Sequence, residues 1–580
     1  MLDKIKIFSI YKYLNPELKV KVIIFAFFSV LTSFLDVLSI GAVFPLLSSL
    51  IDPSSLIKNE TIIFFFNILN ITLSKDTIVR NLLIIFVLFL LISTLTKIFL
   101  INYIIKTQNT ISVYLSKQIF NQTINQEYIF FSKLDSNKLT TVLTQKINSV
   151  SLTVQSILTS ISNLINVIFI FFGLLYLNFK ITLILTTVFS TFYFFINFVI
   201  KKKVLKNSEI ASKTSDNVLK VIKETLGSIR YYIIRDRTEF IGKVFESNFQ
   251  RLKKIQIYLA RINLIPRYLI ETILLIVLSL IVVLSGSGQK SFLVEIPLLG
   301  TFILASQRML PNINLLFINL NNIMANFSQV NDVIEFLSYK EEKKIDNLKN
   351  NIKFTKKITF HNINFSYQLT NKNEKVDVIK NLNFEILKGE KIGIIGKSGS
   401  GKSTLLDIVM GLLNPTDGKI TCDNTIINND NVKAWRRKFS HVPQKIFLVK
   451  DTIRKNIAFS ERSNVINQQL TDLAIKVSGL NFIESLPNKI DSDIGEDGSL
   501  LSGGQRQRVG IARSIYDNTE ILTFDEATSA IDSNLRQEIF DNLDKYLSDK
   551  TFIAITHDSN QLSFFDKIIH LKENFEYEIK

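Results

Sequence analysis

A lysine and a serine follow a run of glycines at one point of the chain, in the order that phosphate binding requires. The run "KIGIIGKSGSGKSTLLDIVMGLL" is an apolar strand, a glycine-rich turn and a helix, which is the P-loop pattern. The glycines let backbone N–H groups surround phosphate oxygens at a helix N-terminus, Lys402 reaches the β and γ phosphates, and the Ser403 hydroxyl binds Mg2+. The predicted nucleotide-binding positions are Gly396, Lys397, Ser398, Gly399, Ser400, Gly401, Lys402, Ser403 and Thr404.

Two carboxylates end a second apolar strand, "EILTFDEATSAID". Such a strand delivers Asp525 and Glu526 to the edge of a sheet where phosphates bind. Asp525 can hold Mg2+ through water, and Glu526 can polarise the attacking water as a general base. Thr523 interrupts the strand, and we expect its hydroxyl to bond to a neighbouring carbonyl. Together the two motifs predict a nucleoside triphosphatase.

The rest of the chain is too apolar and too long for one soluble domain, with 580 residues, 47% hydrophobic residues and a mean hydropathy of +0.25. The net charge of +17 is compatible with nucleic acid, anionic lipid or positively charged cytoplasmic loops. The single cysteine, Cys422, excludes an intrachain disulfide. Stretches of about 20 apolar residues predict six membrane spans. These spans are 22–50, 81–106, 155–177, 181–200, 263–284 and 291–322.

Charge and periodicity organise these spans. Lysines precede the first span and follow the fourth, so the positive-inside rule places both termini in the cytoplasm. The long links after the second and fourth spans keep helical periodicity, so we expect helices that extend beyond the membrane. Their turning points, 126–139 and 227–240, mix aromatic and charged residues as a docking surface would, although simple helix caps remain the alternative.

The predicted domains follow from this organisation. They are a six-helix transmembrane domain (1–325), a polar linker (326–352) and a cytoplasmic α/β P-loop domain (353–580).

Between the two phosphate motifs, "LLSGGQRQRVGIARSIY" resembles the signature of the ATP-binding cassette (ABC) family. Six spans followed by one nucleotide-binding domain resemble an ABC exporter half-transporter over almost the whole chain. The resemblance implies that the signature contacts the γ phosphate of ATP held by the opposite subunit. It also implies a dimer, most simply a homodimer, although a different half-transporter as partner stays open. The signature positions are Ser502, Gly503, Gly504 and Gln505.

Other positions resemble the family pattern in the same order. Tyr367 resembles the aromatic that stacks on adenine, with a buried strand tyrosine as the alternative. Gln444 resembles the glutamine that senses magnesium, and His557 resembles the switch histidine that bonds the γ phosphate. The stretch "SAID" with Asp532 resembles the family's loop that couples the two ATP sites across the dimer. The stretch "IGEDG" resembles an exporter-specific loop before the signature, with Glu496 as its acidic residue. The resemblance thus implies catalytic roles for Glu526, His557 and Gln444, and magnesium ligation by Ser403, Gln444 and Asp525.

Three cations inside the predicted spans bear on the cargo. Arg308 and Arg267 each lie about 26 Å from the outer ends of their spans, and Lys97 lies at a comparable depth. Intramembrane cations usually face a bundle interior or a wet cavity. These three could form a collar for an anionic headgroup, or Glu271 and Asp36 could neutralise them. The sequence leaves both readings open.

The transmembrane stretches "FLDVLSIGAVFPLL" and "LGTFILASQRMLPNIN" resemble a bacterial subgroup of ABC exporters, the lipid-linked oligosaccharide flippases and polysaccharide or glycolipid exporters. This resemblance implies a lipid-linked glycan or glycolipid as cargo, moved across the inner membrane with ATP and Mg2+. A general lipid or multidrug exporter is the alternative. A soluble ABC-type ATPase acting on nucleic acid would suit the charge but has no use for six spans, so we expect no nucleic acid partner.

Overall fold

The computed structural model describes residues 10–51, 77–133, 136–284, 289–339, 352–368, 375–459 and 466–580. The chain divides into two compact units. The helical unit contains residues 1–126 and 134–341, and the sheet unit contains residues 127–133 and 342–580.

The helical unit is built from long helices joined by short turns. In chain order the N-terminal helices are α1 (Ile10–Tyr13), α2 (Pro16–Gly41), α3 (Val43–Ile51), α4 (Ile78–Ile124), α5 (Tyr128–Lys133), α6 (Ser136–Thr141), α7 (Ile147–Leu177), α8 (Phe179–Gly227), α9 (Ile229–Ile234), α10 (Thr238–Leu284), α11 (Gln289–Ala325) and α12 (Phe327–Leu337). A π-helical turn, Val142–Lys146, precedes α7. All of these helices except α5 belong to the helical unit.

Four helical stretches within the described residues are long and apolar enough to cross a membrane: Pro16–Ile51, Ile78–Ile124, Lys138–Leu177 and Phe179–Ile200. They contain the first four predicted spans. The fifth and sixth predicted spans lie on α10 and α11 and are not among these four stretches. Side chains of residues 281–284 and 289–295, at the junction of α10 and α11, lie outside the described part of the chain.

The helices extend well beyond the thickness of a bilayer, as the periodicity of the long links predicts. Helices α4, α8 and α10 contain 47, 49 and 47 residues. At 1.5 Å per residue each is about 70 Å long, whereas the hydrocarbon core is about 30 Å thick. The short link between the third and fourth spans is a single residue, Asn178, whose side chain caps α8 by accepting a hydrogen bond from the Ile181 N–H at 3.1 Å.

The first part of the predicted linker is a packed helix rather than an extended connection. Residues 327–337 form α12, and Val330, Val333 and Phe336 are fully buried in the core of the helical unit. An ion pair of 2.6 Å joins Lys146 of the π-helical turn to Asp332. The apolar spacing of "FSQVNDVIEFL" accounts for the helix. The remainder of the predicted linker, residues 340–351, lies outside the described residues.

The sheet unit contains two sheets. The strands are β1 (Lys357–Gln368), β2 (Lys375–Leu387), β3 (Lys391–Gly396), β4 (Asp417–Cys422), β5 (Thr425–Ile426), β6 (Phe439–Val442), β7 (Ile521–Asp525), β8 (Thr551–Ile555), β9 (Lys567–Leu571) and β10 (Tyr577–Ile579). The first sheet is antiparallel with the order β2-β1-β4-β5, and the second has the order β10-β9-β3-β8-β7-β6. Strands β9, β3, β8, β7 and β6 are parallel to one another, and β10 is antiparallel at the edge.

Helices fill the spaces around these sheets. They are α13 (Lys402–Val409), α14 (Val432–Arg436), α15 (Ile453–Ile457), α16 (Gln468–Val477), α17 (Gly503–Tyr516) and α18 (Ser533–Tyr546). The central strands β7 and β8 are almost continuous apolar runs because both of their faces are covered.

The parallel strands bring the predicted phosphate chemistry to one edge of the sheet. Gly396 ends β3, Asp525 ends β7, and His557 follows two residues after the end of β8. Since β8 lies between β3 and β7, these three chain segments are neighbours at the carboxyl edge. Ligands of open α/β sheets bind at this edge.

Candidate functional site

The glycine-rich turn between β3 and α13 is shaped by close backbone approaches. Gly401 has φ +94°, and a Cβ there would lie 2.9 Å from Cγ1 of Val378. A Cβ on Gly396 would overlap the carbonyl oxygen of Leu571. Side chains at these two positions would therefore distort the turn. Glycine at both positions leaves the backbone accessible where α13 begins.

The turn presents polar groups that the protein itself does not fully use. Lys402 is buried, and its Nζ donates to the carbonyl oxygens of Gly396 and Lys397 at 2.9 Å each. Burial lowers its pKa, while Glu526 and Asp525 oppose that shift. The Ser400 hydroxyl is buried without a hydrogen-bond partner. A buried lysine, an unpartnered hydroxyl and a helix N-terminus fit the phosphates of a nucleotide.

Other P-loop residues take different positions. The side chain of Lys397 turns away to pair with Glu573 at 2.9 Å. The Thr404 hydroxyl lies 3.4 Å from the hydroxyl of Tyr367, which is half-buried on β1. The predicted adenine-stacking residue therefore lies next to the first turn of α13.

Two of the three predicted magnesium ligands, Ser403 and Asp525, are neighbours, and hydrogen bonding by the Ser403 side chain lowers the pKa of Asp525. Burial raises the pKa of Asp525, and nearby Glu526 adds to that rise, whereas Ser403 and Lys402 lower it. The pKa of Asp407 on α13 is raised to about 6, mainly by burial and then by Asp525. A hydroxyl and a carboxylate are oxygen ligands of the kind that Mg2+ prefers, completed by substrate phosphates and water.

The three predicted catalytic residues meet at Glu526. Gln444 donates from Nε2 to Oε2 of Glu526 at 2.8 Å, and Nε2 of His557 lies 2.8 Å from Oε1. Glu526 itself has φ +49°, directly after the end of β7. Its carboxylate is about a quarter exposed, with a side-chain accessibility of 24%. The structure thus brings a candidate base and its two polar neighbours together.

Thr523, in the strand that leads to Glu526, donates to the carbonyl of Ser440 at 3.0 Å, as its sequence position led us to expect. Its hydroxyl also lies 3.1 Å from Nδ1 of His441. Burial lowers the pKa of His441 to about 4. His441 is therefore a packing residue that stays neutral beside β7, the strand that leads to Glu526.

The signature residues begin helix α17. The Ser502 hydroxyl accepts from the Gln505 N–H at 3.2 Å, and the Gln505 side chain accepts from the Ser502 N–H at 2.8 Å, which forms a capping box. A Cβ on Gly504 would lie 2.9 Å from the carbonyl oxygen of Ala530. The first turn of α17 is thus held open and packed against the segment 529–532.

One residue at this junction carries no motif that we recognised in the sequence. Gln507 accepts from the Ala530 N–H at 2.8 Å and donates to the Ser529 hydroxyl at 3.2 Å. Asp532 then caps α18 by accepting from the Leu535 N–H. Gln507 therefore couples the signature helix to the loop that follows the catalytic strand.

Helix α5 lies within the stretch 126–139 that the sequence predicts as a docking surface, and it belongs to the sheet unit. Ile129 packs against the core beneath the P-loop, and Tyr128 has its pKa raised by burial and by Asp407, Tyr367 and Asp525. The mixed aromatic and charged composition of 126–139 was the signal for docking. It did not identify Tyr128 as a neighbour of the phosphate chemistry.

In the helical unit, two of the three predicted cavity cations converge on one carboxylate. Asp36 is fully buried and accepts hydrogen bonds from Lys97 at 2.7 Å and from Asn166 at 3.0 Å. Arg308 also pairs with Asp36 and donates to the Ser39 hydroxyl at 2.8 Å. Two cations share one anion, so this group, the Asp36 cluster, carries one surplus positive charge.

Arg267 does not join the Asp36 cluster, so the three predicted cavity cations do not converge on one group. It pairs with Glu271 one turn along its own helix at 2.7 Å, and the two side chains are 53% and 39% exposed. Residues four apart on a helix lie on the same face, so this local pair forms without any other helix. Internal neutralisation therefore holds for Arg267 and is incomplete for Lys97 and Arg308.

A cavity of about 760 Å³ opens beside the Asp36 cluster. Lys97 and Arg308 are the charged side chains among the described residues that line it, and Asn166, which donates to Asp36, lines it as well. Most of the other polar lining comes from α7 and α11. Its volume is in the range of small-molecule sites.

Comparison with known proteins adds to this picture. A family model described as "ABC transporter transmembrane region" matches residues 20–310, and one described as "ABC transporter" matches residues 379–529. The ATP-dependent lipid A-core flippase of Methylobacillus flagellatus is 25% identical over 465 residues, which cover 79% of this chain and 77% of that protein. The protein of the same name from Pseudomonas fluorescens is 26% identical over 465 residues, covering 78% and 75%.

Among solved structures, a bacterial Atm1-family ABC exporter with ATP bound superposes with a TM-score of 0.72 at 20% identity, covering 97% of this chain and 96% of that one. At this identity the likeness concerns the fold. The match of residues 20–310 to a transmembrane family overturns the alternative of a soluble ATPase.

Proposed function

Because this chain belongs to the ABC transporter family, in which ATP hydrolysis drives transport across a membrane, we propose that it flips an anionic glycolipid or lipid-linked glycan across the inner membrane of a bacterium. The observation that carries the proposal is the surplus positive charge of the Asp36 cluster at the wall of a cavity that both polar and apolar side chains line. The flippases that it resembles act on lipid A-core, which is consistent with a cargo of this class.

An uncompensated cation inside a membrane needs an anionic partner or water. Asp36 satisfies one of its two cations, so a phosphate group entering the cavity would find the other available. Arg308 suits this role because a guanidinium binds phosphate oxygens through several N–H donors. Lys97, with 39% of its side chain exposed, would supply a second donor.

In the sheet unit, ATP with Mg2+ supplies the γ-phosphoryl group and a cation that neutralises its charge. Lys402 and the N-terminus of α13 would hold the phosphates, and Ser403, Asp525 and Gln444 would hold the metal. Glu526 would accept a proton from the attacking water, and His557 would donate to the γ phosphate. Tyr367 would support the adenine ring.

We further propose that the chain works as a homodimer with both termini in the cytoplasm. The chain carries one nucleotide-binding domain, and the signature at Ser502–Gln505 would complete the ATP site of a second copy. Partnership with a different half-transporter would appear as an absence of ATPase activity in the purified single chain.

The test is ATPase turnover in proteoliposomes that contain a polyprenyl diphosphate-linked glycan or a lipid A-type glycolipid. We expect either lipid to stimulate the wild-type protein, and Arg308→Ala to lose that response. Arg267→Ala is the matched control because Arg267 is paired on its own helix away from the cavity lining. Absence of stimulation by both lipids would refute the proposal. Stimulation of Arg308→Ala by apolar drugs alone would favour a multidrug exporter instead.

A further inference from the structure

Two rows of uncharged polar side chains extend along the cavity away from the Asp36 cluster. On α7 the row contains Gln155, Thr159, Asn163 and Asn166, and on α11 and just beyond it contains Asn312, Asn319, Asn322 and Asn326. Members of each row are spaced by three, four or seven residues, so each row lies on one face of its helix. We call these side chains the amide rows.

Part of the amide rows holds the two helices together. Asn312 donates to Asn166 at 2.8 Å, and Asn319 donates to the Thr159 hydroxyl at 2.8 Å. Contacts of this kind join helices in membranes, each at modest free energy. Helix packing therefore explains four members of the rows.

The other members are not explained in this way. The side chains of Gln155, Asn322 and Asn326 make no hydrogen bond to another described residue, although all three line the cavity. The amide nitrogen of Asn163 is buried without a partner. A buried carboxamide nitrogen without a partner, as at Asn163, is unfavourable inside a membrane unless water or a ligand meets it. The rows thus have hydrogen-bonding capacity beyond what packing needs.

The chemistry of this lining selects one class of ligand. A carboxamide both donates and accepts hydrogen bonds, as a sugar hydroxyl does. Among the described residues that line the cavity, charge is confined to Lys97 and Arg308, and none is aromatic. A neutral polyol is complementary to the amide rows within this wall, whereas a second charged group would find no counter-ion along the rows.

We infer that the amide rows are a glycan subsite, in which neutral sugar residues bind while the phosphate to which they are attached binds at Lys97 and Arg308. The inference rests on the proposed function and specifies how that cargo lies. From Arg308 to Asn326 the α11 row spans about 27 Å at 1.5 Å per residue, enough for several sugar residues. The phosphate occupies one end of the cavity, and the glycan extends towards the C-terminal end of α11.

The test compares two lipids on the purified full-length protein in proteoliposomes. One is a polyprenyl diphosphate, and the other is the same lipid carrying a neutral disaccharide. The concentration of each lipid that gives half-maximal stimulation of ATPase activity is measured for wild type and for Asn163→Leu/Asn322→Leu. Asn314→Leu is the matched control, because Asn314 lies on α11, also has a buried amide atom without a partner, and does not line the cavity.

We expect the wild type to respond to the glycosylated lipid at about tenfold lower concentration than to the sugar-free lipid, as two or three hydrogen bonds would produce. The double variant should bring the two concentrations to within about twofold, while Asn314→Leu keeps the difference. Gln155→Ala provides a second, milder variant if the double variant folds poorly. Its difference between the two lipid concentrations should be smaller than that of wild type and larger than that of the double variant.

Three results would separate the possibilities. A preference for the glycosylated lipid that survives in the double variant and in Gln155→Ala would overturn the glycan subsite. Equal responses of the wild type to both lipids would overturn it as well, while leaving an anionic lipid as cargo. A wild type that responds to neither polyprenyl lipid would overturn the glycan subsite, whereas the proposed function is refuted only if a lipid A-type glycolipid also fails to stimulate the protein.

Discussion

The charge balance of the Asp36 cluster predicts unequal consequences for removing its anion and one of its cations. Lys97 and Arg308 both bond to Oδ1 of Asp36, whose side chain is fully buried. Lys97→Gln would leave Asp36 and Arg308 as a neutral pair. Asp36→Asn would leave two cations beside each other with no carboxylate.

The expected destabilisations of the two variants differ by about 2 kcal/mol. Two unit charges about 4 Å apart interact by about 4 kcal/mol at an effective dielectric constant of 20. Removal of one partner from a buried ion pair destabilises a protein by about 3–5 kcal/mol. Because Lys97 and Arg308 are 39% and 29% exposed, solvent screens part of this repulsion. We therefore expect Asp36→Asn to lower the free energy of unfolding by about 3 kcal/mol and Lys97→Gln to lower it by at most about 1 kcal/mol.

Thermal unfolding of the detergent-purified protein measures the difference. Asp36→Asn should unfold at a clearly lower temperature than wild type, and Lys97→Gln should stay close to wild type. The double variant Asp36→Asn/Lys97→Gln should be more stable than Asp36→Asn alone, because it again leaves a single cation. Equal midpoints for the two single variants, or a double variant less stable than both, would refute this account of the charge balance.

The sheet unit supplies three further predictions. Glu526→Gln should retain ATP binding and lower turnover by about 10²–10⁴-fold, since it removes the candidate base; phosphate release and nucleotide binding measured on the same sample check this. Gly504→Ala should destabilise the junction with Ala530 by about 1–3 kcal/mol and lower ATPase activity, whereas Gly242→Ala, which meets no atom within 4 Å, should do neither. Burial lowers the pKa of His441 from 6.5 to about 4, so between pH 6.5 and pH 4 the unfolded state binds a proton that the folded state does not. The free energy of unfolding should therefore fall by roughly 3 kcal/mol as the pH drops through this range. Thermal inactivation at pH 7.5 and pH 5 should therefore differ less in His441→Gln than in wild type.

Much of the fold could be predicted because its signals are contiguous. An apolar strand, a glycine-rich turn and a helix are adjacent in the chain, so the P-loop at Gly396–Ser403 followed directly from the sequence. Helix α12 is harder to predict from the sequence. The strongly polar stretch after it dominated the reading of 326–352, although the apolar spacing within 327–337 already indicated a helix with one buried face.

The membrane site shows a different limit of sequence reasoning. Hydropathy and residue counts give the depth of a charge along a helix, but they do not give the direction in which its side chain points. Arg308 and Arg267 have the same depth by counting, yet one faces Asp36 and the other pairs with Glu271. The number of cations in the cavity depends on helix rotation, which packing determines.

Contacts between distant segments were also beyond the sequence. Gln507 and Ala530 are 23 residues apart, and their hydrogen bond depends on how α17 lies against the loop after β7. The signature motif located α17, but no local pattern marked Gln507 as the residue that ties it to that loop.

The surplus charge of the Asp36 cluster also makes the membrane potential relevant to this protein. Moving one elementary charge through the whole potential changes the free energy by about 2.3 kcal/mol per 100 mV. Suppose that a cavity wall with a net charge of +1 is exposed alternately to the two sides of the membrane. Part of the membrane potential would then act on this charge when the cavity is empty. A headgroup of equal and opposite charge bound there would cancel the charge. The loaded step would then be nearly independent of voltage, and the return of the empty protein would carry the electrical work.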